Sequence, residues 1–191
     1  MVVEECKLRS TAEVDQDSEM VIQARSNRAA FVRLYRRHYD AIFRYCAHRL
    51  FDRAAAEDVT SEVFLKMVEN FDGFKGTDAQ FRNWLYRIAT NAVNQHLRLM
   101  NRRDRLLQVA REQTSNIVAD CEESPEKPAL LKESVLSLKP RYQAIITLRF
   151  FENLKMIEIA EVLGSSPGTV RSQLARALAK LRTKMNSSGT A

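Results

Sequence analysis

Between Glu158 and Arg182 the chain sets two short apolar-periodic segments on either side of Gly164-Ser165-Ser166-Pro167, and no other stretch narrows the fold so far. Glycine permits the left-handed backbone that ends a first helix, Ser166 is a good cap for a second, and Pro167 suits that helix's first position. The first segment turns Ile159, Val162 and Leu163 to a core. The second repeats Val170, Leu174, Leu178 and Leu181 at helical steps. Arg171, Ser172, Gln173 and Arg176 then face outward from its early turns, where the second helix of a helix-turn-helix reads base edges and phosphates in the major groove. No acidic residue follows Glu161, whereas Arg171, Arg176, Lys180, Arg182 and Lys184 do, so a polyanion meets little repulsion there. A basic helix alone would be a solvated face. The turn chemistry between two periodic segments makes this one a DNA-binding unit.

Charge distribution sharpens that reading. The 191-residue chain carries a net charge of +6, which favours association with a polyanion. From Phe81 to Arg111 there are seven arginines against the single acid Asp104, while Glu112 to Glu126 holds five acids and no base. Cys6, Cys46 and Cys121 lie far apart and form no Cys-x-x-Cys pair, so neither a disulfide framework nor a zinc ribbon is indicated. A helix places His38 and His48 on different faces, so no metal site is expected, and Cys46 reads as core. No apolar run approaches the ~20 residues of a membrane span, and the acidic N-terminus does not resemble a signal peptide, so a cytoplasmic protein without membrane insertion is expected.

Helical periodicity organises the remainder. Phe31, Leu34, Tyr35, Ile42, Phe43, Cys46 and Leu50 mark one amphipathic helix. A second begins near Ala54, with Glu57 and Asp58 in its first turn, a stripe of Val59, Val63, Met67 and Phe71, and Glu57, Asp58, Ser61, Glu62 and Lys66 outside. Two glycines and two aspartates end it between Phe71 and Asp78. A third helix runs from about Phe81 to Arg105, burying Trp84, Ile88 and Ala92 and lining another face with Arg87, Asn91, Asn94 or Gln95, and Arg98. Its aromatic and arginine residues interleave as in a single-strand stacking surface, although Phe81 and Trp84 by themselves read as core.

Periodicity then fails, and Asp120 to Pro128 has the charge and proline of a linker. Helix resumes near Ala129, breaks at Lys139-Pro140 and continues into the helix-turn-helix. No strand alternation appears. The fold class expected is all-α: an N-terminal tail over residues 1–19, a helical domain over 20–111, a flexible acidic linker over 112–128, a second helical domain over 129–185, and a tail over 186–191.

The segments from Met20 to Arg182 resemble, in order and spacing, regions two and four of extracytoplasmic-function sigma factors, the small two-domain branch of the sigma-seventy family. Ala56-Glu57-Asp58-Val59-Thr60-Ser61-Glu62-Val63-Phe64-Leu65-Lys66 is similar to the core-polymerase-binding helix, and Phe81-Arg82-Asn83-Trp84-Leu85-Tyr86-Arg87-Ile88-Ala89-Thr90-Asn91 resembles the minus-ten segment. Leu138-Lys139-Pro140-Arg141-Tyr142, Leu148-Arg149-Phe150, Glu158-Ile159-Ala160 and Gly168-Thr169-Val170-Arg171-Ser172 follow as region four. The resemblance implies a non-enzymatic factor that binds bacterial core RNA polymerase through Glu57, Asp58, Ser61 and Glu62. It implies minus-ten contacts by Arg82, Trp84, Arg87, Asn91, Gln95 and Arg98, and minus-thirty-five contacts by Thr169, Arg171, Ser172, Gln173 and Arg176. Its partners are core polymerase and promoter DNA, double- and single-stranded; an anti-sigma factor is left open, and no cofactor is expected.

The residues suit those roles. An acidic helical face fits a basic protein partner, the arginine-rich helix fits phosphates, and the loop from Asp72 to Gln80 is a candidate pocket for a flipped base. The alternative is a stand-alone helix-turn-helix regulator, which would need only the C-terminal unit and a dimer surface or ligand domain. An enzyme would need clustered carboxylates, a phosphate loop or a nucleophile with its base, and the sequence offers none of these.

Overall fold

A computed structural model of the chain describes residues 20–112 and 133–187. The linker assigned to 112–128 and the tail assigned to 1–19 fall outside the described residues but for Glu112. A short helix α1 (20–26) leads into α2 (Arg28–Leu50), α3 (Arg53–Asn70) and the long α4 (Asp78–Glu112). The second part comprises a helical turn α5 (133–136), α6 (Pro140–Ile146) with a wider turn over Thr147–Phe151, α7 (Met156–Leu163) and α8 (Pro167–Ser187). Helix α8 takes in residues 186 and 187, which the sequence assigns to a tail. Among the described residues there is no strand, and no helix is long and apolar enough to cross a membrane.

Local chemistry sets the helix ends. Asn27 caps α2 by accepting from the amides of Ala29 and Ala30 at 2.9 and 3.3 Å. Asp52 caps α3 by accepting from Ala55 N–H at 3.0 Å. That cap starts α3 at Arg53, so Glu57 and Asp58 fall in its second turn, not its first. Val59, Val63 and Met67 of α3 and Phe71 at its end are buried as their spacing predicts, together with Ala56, Thr60 and Phe64.

Helix α4 differs from its sequence reading. Its core residues are Phe81, Leu85, Ala89, Ala92 and Val93, while Trp84 and Ile88 are only half-buried. The reason is packing on two sides: α2 and α3 cover one flank, where Tyr45 meets Tyr86 and Thr90, and α7 of the second part lies against another, where Asn83 meets Glu161. The loop before α4 is packed down, because Phe74 lies 5.0 Å from the Trp84 ring and 5.4 Å from the Phe81 ring. A Cβ at Gly76 would come within 2.7 Å of the Phe74 ring and 2.8 Å of the Gln80 side chain, so any larger residue there would have to displace both.

The helix-turn-helix forms as its turn chemistry requires. Gly164 has φ +57°, and its N–H and that of Ser165 close the end of α7. Ser166 Oγ accepts from Thr169 N–H at 3.1 Å, and Pro167 opens α8. On α8 the buried residues are Val170, Leu174 and Ala177, whereas Leu178 is exposed. Seven residues bring a helix nearly back to the same face, while eight overshoot it by about 80°, so Ala177 takes the place that the four-residue step assigns to Leu178.

Candidate nucleic-acid and polymerase interfaces

Helix α8 turns Thr169, Arg171, Ser172 and Arg176 to solvent, with Gln173 half-buried beside them. Thr169, Ser172 and Arg176 share the outer face of α8, with Gln173 on one flank, whereas Arg171, two residues from Thr169 and from Gln173, stands on the opposite flank. Ser172 Oγ donates to Thr169 O at 3.0 Å and so is engaged within its own helix. Gln173 Oε1 accepts from Arg141 Nε at 2.9 Å, which brings a residue of α6 to the edge of this surface. Sequence reasoning missed Arg141 in that role, since only the packing of α6 on α8 places it there. Lys180 extends the basic surface with its ammonium 5.9 Å from the Tyr142 ring.

On α4 the six selected residues do not form one face. Arg87, Asn91, Gln95 and Arg98 are exposed and Trp84 half-buried on a single side. Arg82 stands nine residues before Asn91, which a helix converts into about 180°, and its guanidinium instead meets Glu158 of α7. Arg87 also reaches the second part, donating to the backbone oxygen of Glu161. Asn94, the alternative to Gln95, accepts from Arg49 through its side-chain oxygen at 2.9 Å, so its amide is committed to the core.

Asn91 lines a recess, though not one built by the loop from Asp72 to Gln80. Lys66 and Asn70 of α3 and Trp84, Arg87, Ile88 and Asn91 of α4 enclose about 360 Å³ between the two helices. An aromatic wall, two side-chain amides and two cations suit a base with its phosphate. Lys66 and Asn70 are four residues apart, a helical spacing that could have disclosed them, but their partner helix lies beyond reach of a local pattern. Across the other side of α4, Asn91 and Arg98 also border a cleft of about 430 Å³ shared with Lys139 and Arg141.

The third surface is on α3. Asp58 and Ser61 are exposed and Glu62 half-buried, and Leu65 and Val68 stand 59% and 53% exposed on the same helix at three- and four-residue steps. Glu57 is paired with Arg53 at 3.0 Å and Glu62 with Lys66 at 2.5 Å, both as i,i+4 pairs. An acidic strip flanked by two large exposed apolar side chains is a protein-docking pattern. The sequence reading took in the acids and passed over Leu65 and Val68.

The three cation-site suspects are separated. His38 packs on Phe81 at 5.4 Å, and burial, reinforced by Arg37 and Arg82, lowers its pKa to about 4. Cys46 is buried, which pushes its thiol up to about 11. His48 lies 4.1 Å from the Phe151 ring. Among the described residues no group of three His, Cys, Asp or Glu side chains is placed to hold a metal ion.

Comparison with known proteins agrees with this layout. The Sigma-70 region 2 family matches residues 34–103, and Sigma-70, region 4 matches residues 129–181. The ECF RNA polymerase sigma factor BldN of Streptomyces coelicolor is 35% identical over 182 residues, covering 87% of this chain and 66% of BldN. SigW of Bacillus subtilis, another ECF RNA polymerase sigma factor, is 30% identical over 185 residues, covering 87% of this chain and 98% of SigW. The sigma factor RpoE of Bartonella quintana, solved in complex with the anti-sigma factor NepR, shares the fold at a TM-score of 0.60 and 19% identity, over 82% of this chain and 96% of that one. With both regions present in order and the identity to SigW running along nearly its whole length, the chain belongs to the extracytoplasmic-function sigma factors of the sigma-70 family.

Proposed function

We propose that this sigma factor docks on bacterial core RNA polymerase through α3, grips the minus-thirty-five element with α8, and captures minus-ten bases on the outer face of α4. Asp58, Ser61, Glu62, Leu65 and Val68 form the polymerase surface. Arg171, Gln173 and Arg176 read or hold the upstream duplex, joined by Arg141. Trp84, Asn91, Gln95 and Arg98, with Lys66 and Asn70, receive separated bases, while Arg82 serves the contact between domains.

The observation that carries this reading is the outward turn of Trp84, Asn91 and Arg98 on a helix outside the helix-turn-helix unit. A stand-alone regulator has no use for a second nucleic-acid surface of that kind; a factor that opens DNA requires one. Run-off transcription with purified core polymerase on fragmented genomic DNA of the host tests it. Defined start sites that depend on this chain are expected. Sequence-specific duplex binding without polymerase-dependent initiation would replace this reading with the stand-alone regulator.

A further inference from the structure

Helix α4 packs on α7 but stands off from α6, and the gap left between them is a cleft of about 430 Å³. Small-molecule sites span ~300–1,000 Å³. Three cations border it, Arg98 of α4, Arg141 of α6 and Lys139 just before α6, and no acidic side chain stands among the described residues that line it. An anion there meets attraction without opposing repulsion. Asn91, Asn94 and Asn101 add amides from the α4 side, while Leu97, Val162 and Leu163 make part of the wall apolar. Convergent polar groups beside an apolar wall are what a small-molecule site needs.

Most of these polar groups are uncommitted. Among the described residues, the side chains of Asn91, Arg98, Asn101 and Lys139 take part in no ion pair or hydrogen bond. Arg49 engages only the side-chain oxygen of Asn94 and so leaves its two N–H donors, and Gln173 engages only Nε of Arg141, leaving both terminal nitrogens of that guanidinium. Thr90 is the exception. Its hydroxyl donates to Tyr86 O at 2.7 Å and lies 2.8 Å from Tyr45 Oη, so it borders the cleft without serving it. Guanidinium and ammonium groups bind phosphate oxygens, and side-chain amides pair with base edges. The donor set matches a phosphorylated base.

We propose that the cleft binds a nucleoside polyphosphate, with Arg98, Lys139 and Arg141 on its phosphates and its base set against Leu97, Val162 and Leu163 within reach of the asparagine amides. A strand of nucleic acid fits less well, because a bound strand stacks its bases on a row of aromatic rings and no aromatic side chain lines this cleft. The assignment rests on the cleft alone. It goes beyond the sigma-factor reading and does not depend on it.

Titration calorimetry of the full chain at low ionic strength, with ATP, GTP, adenosine and inorganic pyrophosphate as probes, tests the site. At least one nucleotide is expected to bind one per chain, and about ten-fold or more tighter than adenosine or pyrophosphate, since each of those lacks half of the contacts. Lys139→Glu and Arg98→Glu should each weaken that binding about ten-fold or more with the helical circular dichroism spectrum unchanged. Arg33→Glu, an equal charge change at an exposed position of α2, should leave it as it is. Hydrogen exchange should slow on nucleotide binding both in residues 91–101 of α4 and in 139–144 at α6, which a ligand held by either helix alone would not do. Absence of nucleotide binding, indifference to Lys139→Glu, or protection confined to one helix overturns the site. Pyrophosphate binding as tightly as the nucleotide overturns the base slot, and a single-stranded oligonucleotide binding more tightly with the same protection assigns the cleft to nucleic acid instead.

Discussion

Arg49 Nη2 donates to Asn94 Oδ1 at 2.9 Å, tying the last turn of α2 to the middle of α4 across 45 residues of sequence. The guanidinium is buried, 1% exposed, and its Nη1 donates to Tyr45 Oη at 2.9 Å, which is in turn 2.8 Å from Thr90 Oγ1. This chain of hydrogen bonds fixes the rotation of α4, and with it the direction in which Trp84, Asn91 and Arg98 point. A core network thereby sets the geometry of the face proposed to receive minus-ten bases.

Arg49→Ala should destabilise the first domain by about 2–5 kcal/mol, since it opens a cavity and strands the Asn94 acceptor. Arg49→Met keeps most of the volume and should cost less. Urea unfolding followed by circular dichroism measures both; equal stability for wild type and Arg49→Ala would show that the network contributes nothing.

Acid should weaken the domain through His38. Burial, with Arg37 and Arg82 nearby, puts its folded pKa at about 4, against about 6.5 for an unfolded histidine. Between those values the unfolded chain binds a proton that the folded chain does not, so stability falls as pH drops. Its contribution is intact above about pH 6.5 and declines by on the order of 2–3 kcal/mol toward about pH 4. The stability-against-pH slope over that window should flatten in His38→Gln.

Arg171→Ala and Arg176→Ala separate base reading from phosphate contact on α8. Loss of a bidentate arginine–guanine contact costs about 1–3 kcal/mol and relaxes selectivity at one base pair, whereas loss of a phosphate contact weakens all sequences alike. Binding to single-base variants of the upstream element distinguishes the two. Unaltered binding by both variants would remove α8 from the role of recognition helix.

Asn91→Ala should impair strand opening more than duplex binding, because flipping a base costs a few kcal/mol that its capture offsets. Permanganate reactivity of minus-ten thymines is expected to fall, with partial rescue on a template already mismatched there. Asn70→Ala should reproduce the defect, since both amides line the same recess. If only one of the two matters, the recess does not act as a unit.

Polymerase capture should depend on the apolar part of α3 as well as the acidic part. Leu65→Ser with Val68→Ser and Asp58→Arg with Glu62→Arg should each abolish capture of core polymerase in a pull-down while leaving the helical circular dichroism spectrum unchanged. Capture by either double variant at the wild-type level would reassign that half of the surface.

Local chemistry alone determined much of this protein. Gly164, Ser166 and Pro167 specify the turn between α7 and α8, because a left-handed cap, a hydroxyl cap and a fixed φ act over a few residues and need no distant partner. The stripe of Val59, Val63, Met67 and Phe71 likewise assigned the buried side of α3, since a helix packed on one side buries one periodic face. Tertiary structure decided what α4 does. Packed on one flank by α2 and α3 and on another by α7, it buries residues from Phe81 round to Thr90, sends Arg82 to Glu158, commits Asn94 to Arg49 and leaves Asn91 facing a recess completed by α3. The carboxylates on Arg82 and Asn83 come from more than 70 residues away, and no periodicity in the chain encodes which of several basic side chains they meet. Only the docking of one domain on the other chooses among them.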